Sequence, residues 1–174
     1  LELGGGSPGG GGRGAESLAW AGRRRPRHTA LPVIVLSPVW ALAAHGDEGE
    51  GGITVNVSKP VKRRRLIAAM KTALGLGQPG DPSISGRTRV WGWRWRNLRV
   101  LLAEDNIVNQ KVVSGILHKN GCQVEAVSNG RAALDKLAAD YYDLVLMDCL
   151  MPEMDGYEAT QCIRSPKSKV LNTR

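Results

Sequence analysis

Three carboxylate side chains follow two apolar runs that are typical of buried strands. Glu104 and Asp105 come directly after RVLLA (99–103), and Asp148 follows LVLM (144–147). Because ligands of open parallel sheets bind at the carboxyl ends of strands, we expect these acids to converge at one edge. Crowded carboxylates repel one another, and a hard divalent cation relieves that repulsion. The pattern therefore predicts an all-oxygen site suited to Mg²⁺.

Asp148 is the predicted nucleophile of this site, because it projects singly from its strand end. A carboxylate beside a bound metal can attack a phosphoryl group and form an acyl phosphate, while the metal offsets charge on the transferring oxygens. The alternative is that Asp148 only caps a turn or helix beside the sheet. Phosphatases with an aspartate nucleophile carry a second Asp two positions later, where this chain has Leu150, so hydrolase chemistry is disfavoured.

The elements that must hold these acids alternate between strands and helices along residues 98–174. Runs at 99–103, 123–127 and 144–147 predict three strands. A helical pattern follows each run after a short connection. This alternation predicts an α/β fold with a parallel sheet, flanking helices and right-handed crossovers.

Apolar residues at helical spacing predict which sides of the helices face the sheet. The first predicted inward face consists of Val108, Val112, Val113, Ile116 and Leu117. The second consists of Ala133, Leu134, Leu137 and Ala138. Asn106 or Asn109 is predicted to cap the first of these helices, and Asp155-Gly156 is predicted to open a third.

Three stretches of this region resemble the receiver domain of response regulators and hybrid sensor histidine kinases: RVLLAEDNIVNQKVV, GCQVEAVSNGRAAL and YYDLVLMDCLMPEMDGYEAT. The similarity covers about residues 98–174. It implies a flavodoxin-like fold with strand order 2-1-3-4-5, in which Asp148 accepts a phosphoryl group from a histidine kinase or a histidine phosphotransfer protein. It also implies a Mg²⁺ site formed by Glu104, Asp105, Asp148 and the backbone carbonyl of Cys149.

The receiver family has two further strands, one bearing Ser or Thr and one ending in Lys-Pro, and the chain ends where the first of these is expected. Upstream, PVIVLS (32–37) resembles that strand, with Ser37 at the hydroxyl position. ITVNVSKP (53–60) resembles the next, with Lys59 before proline. The run at 61–74 then reads as the last helix, with the apolar face Leu66, Ile67, Met70 and Leu74. The alternative is an unrelated strand and helix.

Two arrangements of these pieces stay open. In the first, the chain is a slice of a tandem protein, with the tail of one receiver-like domain before the head of a second. In the second, the two halves dock as a circularly permuted receiver, which brings Lys59 and Ser37 beside Asp148. The predicted boundaries are 1–30 for a disordered low-complexity segment, 31–76 for the tail, 77–97 for a linker and 98–174 for the receiver head.

The net charge of +8 belongs to residues 1–97, because residues 98–174 carry nine basic and ten acidic side chains. The run RTRVWGWRWR (87–96) interleaves aromatic residues with arginine, as in segments that stack on bases or lie at a membrane surface. A loose segment that covers apolar surface is the preferred interpretation. Nucleic acid is therefore not an expected partner.

The three cysteines lack C-x-x-C spacing, so neither a disulfide framework nor a zinc site is predicted, and a reducing cytoplasm is the expected location. No apolar run reaches the roughly 18 residues of a membrane helix. A second interpretation of 23–44 is a signal peptide, because basic residues precede an apolar stretch with a small-residue ending.

The leading functional hypothesis is a phosphoacceptor receiver module of a two-component phosphorelay, with no small-molecule substrate. The chain itself carries no recognisable kinase core, since no nucleotide-binding glycine loop is present and His28, His45 and His118 lack the surroundings of a phosphorylated histidine. The alternative is a pseudo-receiver that is not phosphorylated and acts only in protein interaction.

Overall fold

The computed structural model describes residues 31–42, 55–75, 95 and 97–171. The strands are β1 (Val33–Ser37), β2 (Val55–Ser58), β3 (Arg99–Ala103), β4 (Gln123–Val127) and β5 (Leu144–Asp148). The helices are α1 (Val39–Leu42), α2 (Arg63–Ala73), α3 (Ile107–His118), α4 (Gly130–Ala139) and α5 (Gly156–Arg164). The low-complexity segment predicted at 1–30 lies outside the described residues, as do nearly all of the linker predicted at 77–97, His28 and His45.

A five-stranded parallel sheet joins two distant segments of the chain. Its strand order is β2-β1-β5-β3-β4, and each neighbouring pair is parallel. In the numbering of the receiver resemblance, where β3 is the first strand and β2 the fifth, this order is 2-1-3-4-5. The predicted flavodoxin-like sheet is therefore confirmed, and residues 31–75 supply its two additional strands.

The strand β5 lies at the centre of the sheet. It pairs with β3 on one side, with Ala103 opposite Met147, and with β1 on the other, with Leu36 opposite Asp148. A sheet built from residues 98–174 alone would leave β5 as an exposed apolar edge, which favours aggregation. Pairing with β1 removes that edge, and every residue of β5 is buried.

Helices cover both faces of the sheet, as the near-continuous apolar runs of its central strands require. Alternate residues of β1 point to the two faces, with Ile34 and Leu36 on one and Val33 and Val35 on the other. The α2–α3 side contains Leu66, Met70, Leu74, Val113 and Leu117, with Ile67 partly buried against them. The α4–α5 side contains Ala133, Leu137, Ala159 and Ile163.

Two of the predicted inward faces are wrong in part. Val108 and Val112 are 63% and 52% exposed, and Ala138 is also exposed. In α3 the buried stripe is Val113 and Leu117, four residues apart. Each helical residue is rotated by about 100° from the previous one, so Val112 turns away from a stripe centred on its neighbour. The same rotation takes Ala138 away from the sheet, because Leu137 faces it.

Side-chain caps fix where the three helices after β3, β4 and β5 begin. Asn106, not Asn109, caps α3 and accepts hydrogen bonds from the backbone N–H groups of Val108 and Asn109. Asn129 caps α4, and Asp155 caps α5 in a capping box with Glu158. Each cap lies at the edge of the sheet where the strands end, so the caps set the course of the loops there.

All three cysteines are free, with Cys122 and Cys149 buried and Cys162 exposed. Within the described ranges, every helix is too short or too polar to cross a bilayer.

Trp95 is buried among the α2–α3 side chains and so covers apolar surface, whereas Trp91 and Trp93 lie outside the described residues. Part of the stretch that resembles a signal peptide forms β1.

Candidate metal centre

Three acidic side chains meet at the carboxyl edge of the sheet. One carboxylate oxygen each from Glu104, Asp105 and Asp148 lies within 4.8 Å of the others. The convergence follows from the pairing of β3 with β5, because Ala103 and Met147 are opposite one another and the acids come next in each strand. Glu104 and Asp148 are 1% and 3% exposed, whereas Asp105 is exposed to solvent.

Lys59 reaches the same point from the other segment of the chain. It follows β2 directly, and its backbone N–H donates to the carbonyl of Ser37 at 2.8 Å. Its ammonium donates to Glu104 Oε2 at 2.9 Å and to Asp148 Oδ2 at 2.6 Å. The structure thus places Lys59 beside Asp148, the position that the permuted arrangement predicts.

Burial and neighbouring charges shift proton affinity at this site. Burial raises the pKa of Asp148, the charge of Glu104 adds to the rise, and the hydrogen bond from Lys59 opposes it. For Lys59, burial alone would lower the pKa, but hydrogen bonds to the two acids outweigh burial and the pKa is raised. Lys59 therefore remains an ammonium ion at neutral pH.

Ser37 ends β1 and is fully buried. Its hydroxyl lies 3.3 Å from the hydroxyl of Tyr157 in α5, and either group can donate. The backbone carbonyl of Cys149, predicted as a metal ligand, accepts the N–H of Gly156 at 3.2 Å. A carbonyl oxygen has two lone pairs, so this hydrogen bond leaves capacity for a metal. Burial raises the pKa of the Cys149 thiol, which keeps it protonated.

Sequence reasoning missed two side chains at this site, Tyr157 and Asn109. Asn109 lies in the first turn of α3, and its amide donates to Glu104 Oε1 at 2.9 Å. The signal for Asn109 in the sequence is a second asparagine three residues after the cap, and the same signal equally predicts a rival cap. Tyr157 carried no signal, because its approach to Ser37 depends on the pairing of β1 with β5.

The residues at this edge fit a small divalent cation. The three carboxylates and the ammonium of Lys59 leave two negative charges, which one such ion balances. Oxygen ligands of octahedral Mg²⁺ lie about 2.1 Å from the metal, so opposite ligands are about 4.2 Å apart. Three ligands of one octahedral ion include at least two adjacent pairs, whose oxygens are about 3.0 Å apart. Oxygens that lie within 4.8 Å of one another must therefore approach by up to about 1.8 Å, or bind through water, to share one ion. The donor set, all oxygen, suits Mg²⁺ rather than a soft metal.

In a comparison with known protein families, residues 100–172 match the family model of the response regulator receiver domain. Probable histidine kinase 5 of Oryza sativa subsp. japonica is 35% identical over 127 residues, which are 70% of this chain and 10% of that protein. Histidine kinase 2 of Arabidopsis thaliana is 33% identical over 151 residues, 85% of this chain and 13% of that protein. The chain thus spans about a tenth of the length of these curated relatives.

Among solved structures, a receiver domain of a sensor histidine kinase from Pseudomonas aeruginosa PAO1 is 40% identical. The structural alignment covers 42% of this chain and 60% of the Pseudomonas chain, with a TM-score of 0.40. That protein was crystallised with a magnesium ion coordinated in its active site cleft.

Proposed function

Residues 100–172 belong to the response regulator receiver family, and from that premise we propose that this protein is a phosphoacceptor module of a two-component phosphorelay. Asp148 accepts the phosphoryl group, and Glu104, Asp105, Asp148 and the carbonyl of Cys149 hold Mg²⁺. The observation that carries the proposal is the meeting of three carboxylates and the Lys59 ammonium at one partly buried edge of the sheet. The phosphodonor is a histidine kinase or a histidine phosphotransfer protein.

The side chains have separate tasks in the proposed transfer. An oxygen of Asp148 attacks phosphorus as the P–N bond to the donor imidazole breaks. With its second nitrogen protonated, the imidazole leaves as a neutral ring and takes the bonding electrons. Magnesium, when bound, neutralises charge on the phosphoryl oxygens. Lys59 already contacts the nucleophile and is placed to neutralise the acyl phosphate, and Ser37 supplies a hydroxyl at the neighbouring strand end.

The upstream segment completes the site in this proposal. The two ion pairs of Lys59 connect residues that are 45 and 89 positions apart. The alignment with histidine kinase 2 of Arabidopsis thaliana covers 151 residues, about twice the span of the family match, so that relative has sequence similar to the upstream half in the same order. This supports a tandem origin, in which the tail of one receiver-like unit, 31–75, packs onto the head of the next, 98–171.

The exposed apolar side chains support a protein partner at this edge. Six large apolar residues of the described ranges are more than half exposed, and they follow the ends of β1, β3 and β5: Val39, Trp40, Ile107, Val108, Val112 and Leu150. Apolar surface beside a reaction site is suited to docking of a partner protein. This feature fits a phosphodonor, and it equally fits the alternative of a pseudo-receiver that only binds partners.

Phosphorylation by a small donor separates these two functions. The protein is incubated with acetyl phosphate and Mg²⁺, and its intact mass is measured. We expect one phosphoryl adduct in the wild type, loss of the adduct in Asp148→Asn and retention in Asp135→Asn, which removes an exposed carboxylate of α4. An adduct that persists in Asp148→Asn would place the nucleophile elsewhere. A wild type without any adduct would favour the pseudo-receiver.

A further inference from the structure

The side chain of Glu104 is held from two directions. Its Oε1 accepts the amide N–H of Asn109 at 2.9 Å, and the backbone N–H of Asn106 lies 3.4 Å from the same oxygen. Its Oε2 accepts the ammonium of Lys59 at 2.9 Å. Since Glu104 is 1% exposed, these donors replace the water that a carboxylate would otherwise bind.

The position of Asn109 is fixed by the start of α3. Its backbone N–H donates to the side chain of Asn106 at 3.3 Å, as part of the helix cap. At the next position, the side-chain amide of Gln110 donates to the backbone carbonyl of Glu104 at 2.6 Å. The cap, the first helical turn and the end of β3 are therefore tied together, and the Asn109 amide has little freedom to move away from Oε1.

The charge of the group that donates to Glu104 Oε1 determines how strongly the site attracts a cation. A lysine or arginine at this place would satisfy Oε1 and also cancel one of the two excess negative charges of the site. The amide of Asn109 is neutral, so it satisfies Oε1 and leaves the attraction for a divalent cation undiminished. It also fixes which oxygen lies on the side of Asp148, because Oε1 accepts from Asn109, whereas Oε2 accepts from the Lys59 ammonium that also donates to Asp148.

We propose that Asn109 is a positioning residue of the metal site, which orients Glu104 so that Oε2 is presented to the cation. This inference rests on the proposed function, because it concerns the same Mg²⁺ site. Residues that orient metal ligands by hydrogen bonds commonly change metal affinity about 10- to 100-fold when removed.

The test compares two asparagines of the same helix region. Asn109→Ala removes the bond to Glu104, and Asn120→Ala removes a bond from a side-chain amide to the carbonyl of Ile116 at the other end of α3. Mg²⁺ affinity is measured by titration calorimetry and stability by urea unfolding. We expect both variants to be less stable, Mg²⁺ binding to weaken at least about tenfold in Asn109→Ala, and binding within about twofold of wild type in Asn120→Ala.

The outcomes separate this inference from the proposed function. A wild type that does not bind Mg²⁺ overturns both. A wild type that binds, with Asn109→Ala binding equally tightly, overturns only the role of Asn109. If Asn109→Ala does not fold, ¹⁵N NMR of the wild-type protein tests the role of Asn109 instead. On Mg²⁺ addition the side-chain amide signal of Asn109 is expected to shift while that of Asn120 stays, and an unmoved Asn109 signal overturns the inference.

Discussion

Replacing Lys59 by methionine tests how the two segments of the chain are held together. Methionine keeps most of the length of lysine but removes the ammonium ion. The Lys59 side chain is 24% exposed, whereas those of Glu104 and Asp148 are 1% and 4% exposed. The substitution therefore leaves two buried carboxylates facing each other without their shared cation.

The expected cost follows from that burial. Breaking a buried ion pair by removing one partner costs about 3–5 kcal/mol. The partial exposure of Lys59 lets water reach the acids, so we expect Lys59→Met to lower the free energy of unfolding by about 2–4 kcal/mol in metal-free buffer at neutral pH. This is a large part of the about 5–15 kcal/mol that holds an ordinary domain folded.

Urea unfolding, followed by circular dichroism, measures this difference. The matched control is Lys62→Met, which removes an exposed lysine three residues away and should change stability by less than about 0.5 kcal/mol. Adding Glu104→Gln to Lys59→Met should recover part of the loss, because only one carboxylate then lacks a counter-charge. Saturating Mg²⁺ should also reduce the difference in free energy of unfolding between Lys59→Met and the wild type, since a cation that binds only the folded state stabilises it.

Two outcomes would contradict a linking role of the Lys59 ammonium. If Lys59→Met unfolds at the same urea concentration as the wild type in metal-free buffer, the ammonium does not hold the two segments together. If both lysine variants lose the same stability, the effect comes from general charge removal and not from the pairs with Glu104 and Asp148.

Two other predictions concern packing and pH. A Cβ added at Gly156 would overlap the backbone carbonyl of Asp148, whereas one at Gly115 in α3 meets no atom within 4 Å. Urea unfolding should therefore show Gly156→Ala destabilised by about 3 kcal/mol and Gly115→Ala stabilised by about 0.5–1 kcal/mol, and equal effects would contradict the predicted overlap. Hydrogen bonds from Lys136 and Tyr142 lower the pKa of Glu125 below its ordinary 4.5. That stabilisation is present above pH 4.5 and is lost as the pH falls through the lowered pKa, so Lys136→Met should be less stable than wild type at neutral pH and should approach it in acid. A stability difference between the two proteins that is independent of pH would contradict the assignment.

Features that depend on neighbouring residues were predicted well. The strands at β3, β4 and β5 were evident from their apolar runs, and Asp155 was expected at the start of α5. Burial within a helix was predicted less well, because α3 has more apolar residues than one stripe can bury. Val108 and Val112 have the right chemistry for the core, and only the orientation of α3 on the sheet leaves them exposed.

The site itself was predictable to the extent that it follows from strand ends. Glu104, Asp105 and Asp148 could be placed together because parallel neighbouring strands end at one edge. Asn109 could not be assigned to Glu104, because an asparagine near a helix start serves equally well as a cap, and the choice depends on where its side chain points. Tyr157 could not be paired with Ser37 before the partner of β1 was known.

The amino-acid sequence alone determined the local structure of this protein: which runs become strands, where the capped helices begin and which acids stand at the strand ends. Backbone propensity and apolar periodicity act over a few residues, so the local structure that they produce can be predicted from the sequence. The tertiary structure decided that β1 lies beside β5 and that Lys59 meets Asp148 across 89 positions. That choice depends on how much apolar surface one arrangement buries relative to others and on which buried charges it pairs, and neither quantity exists until distant segments pack.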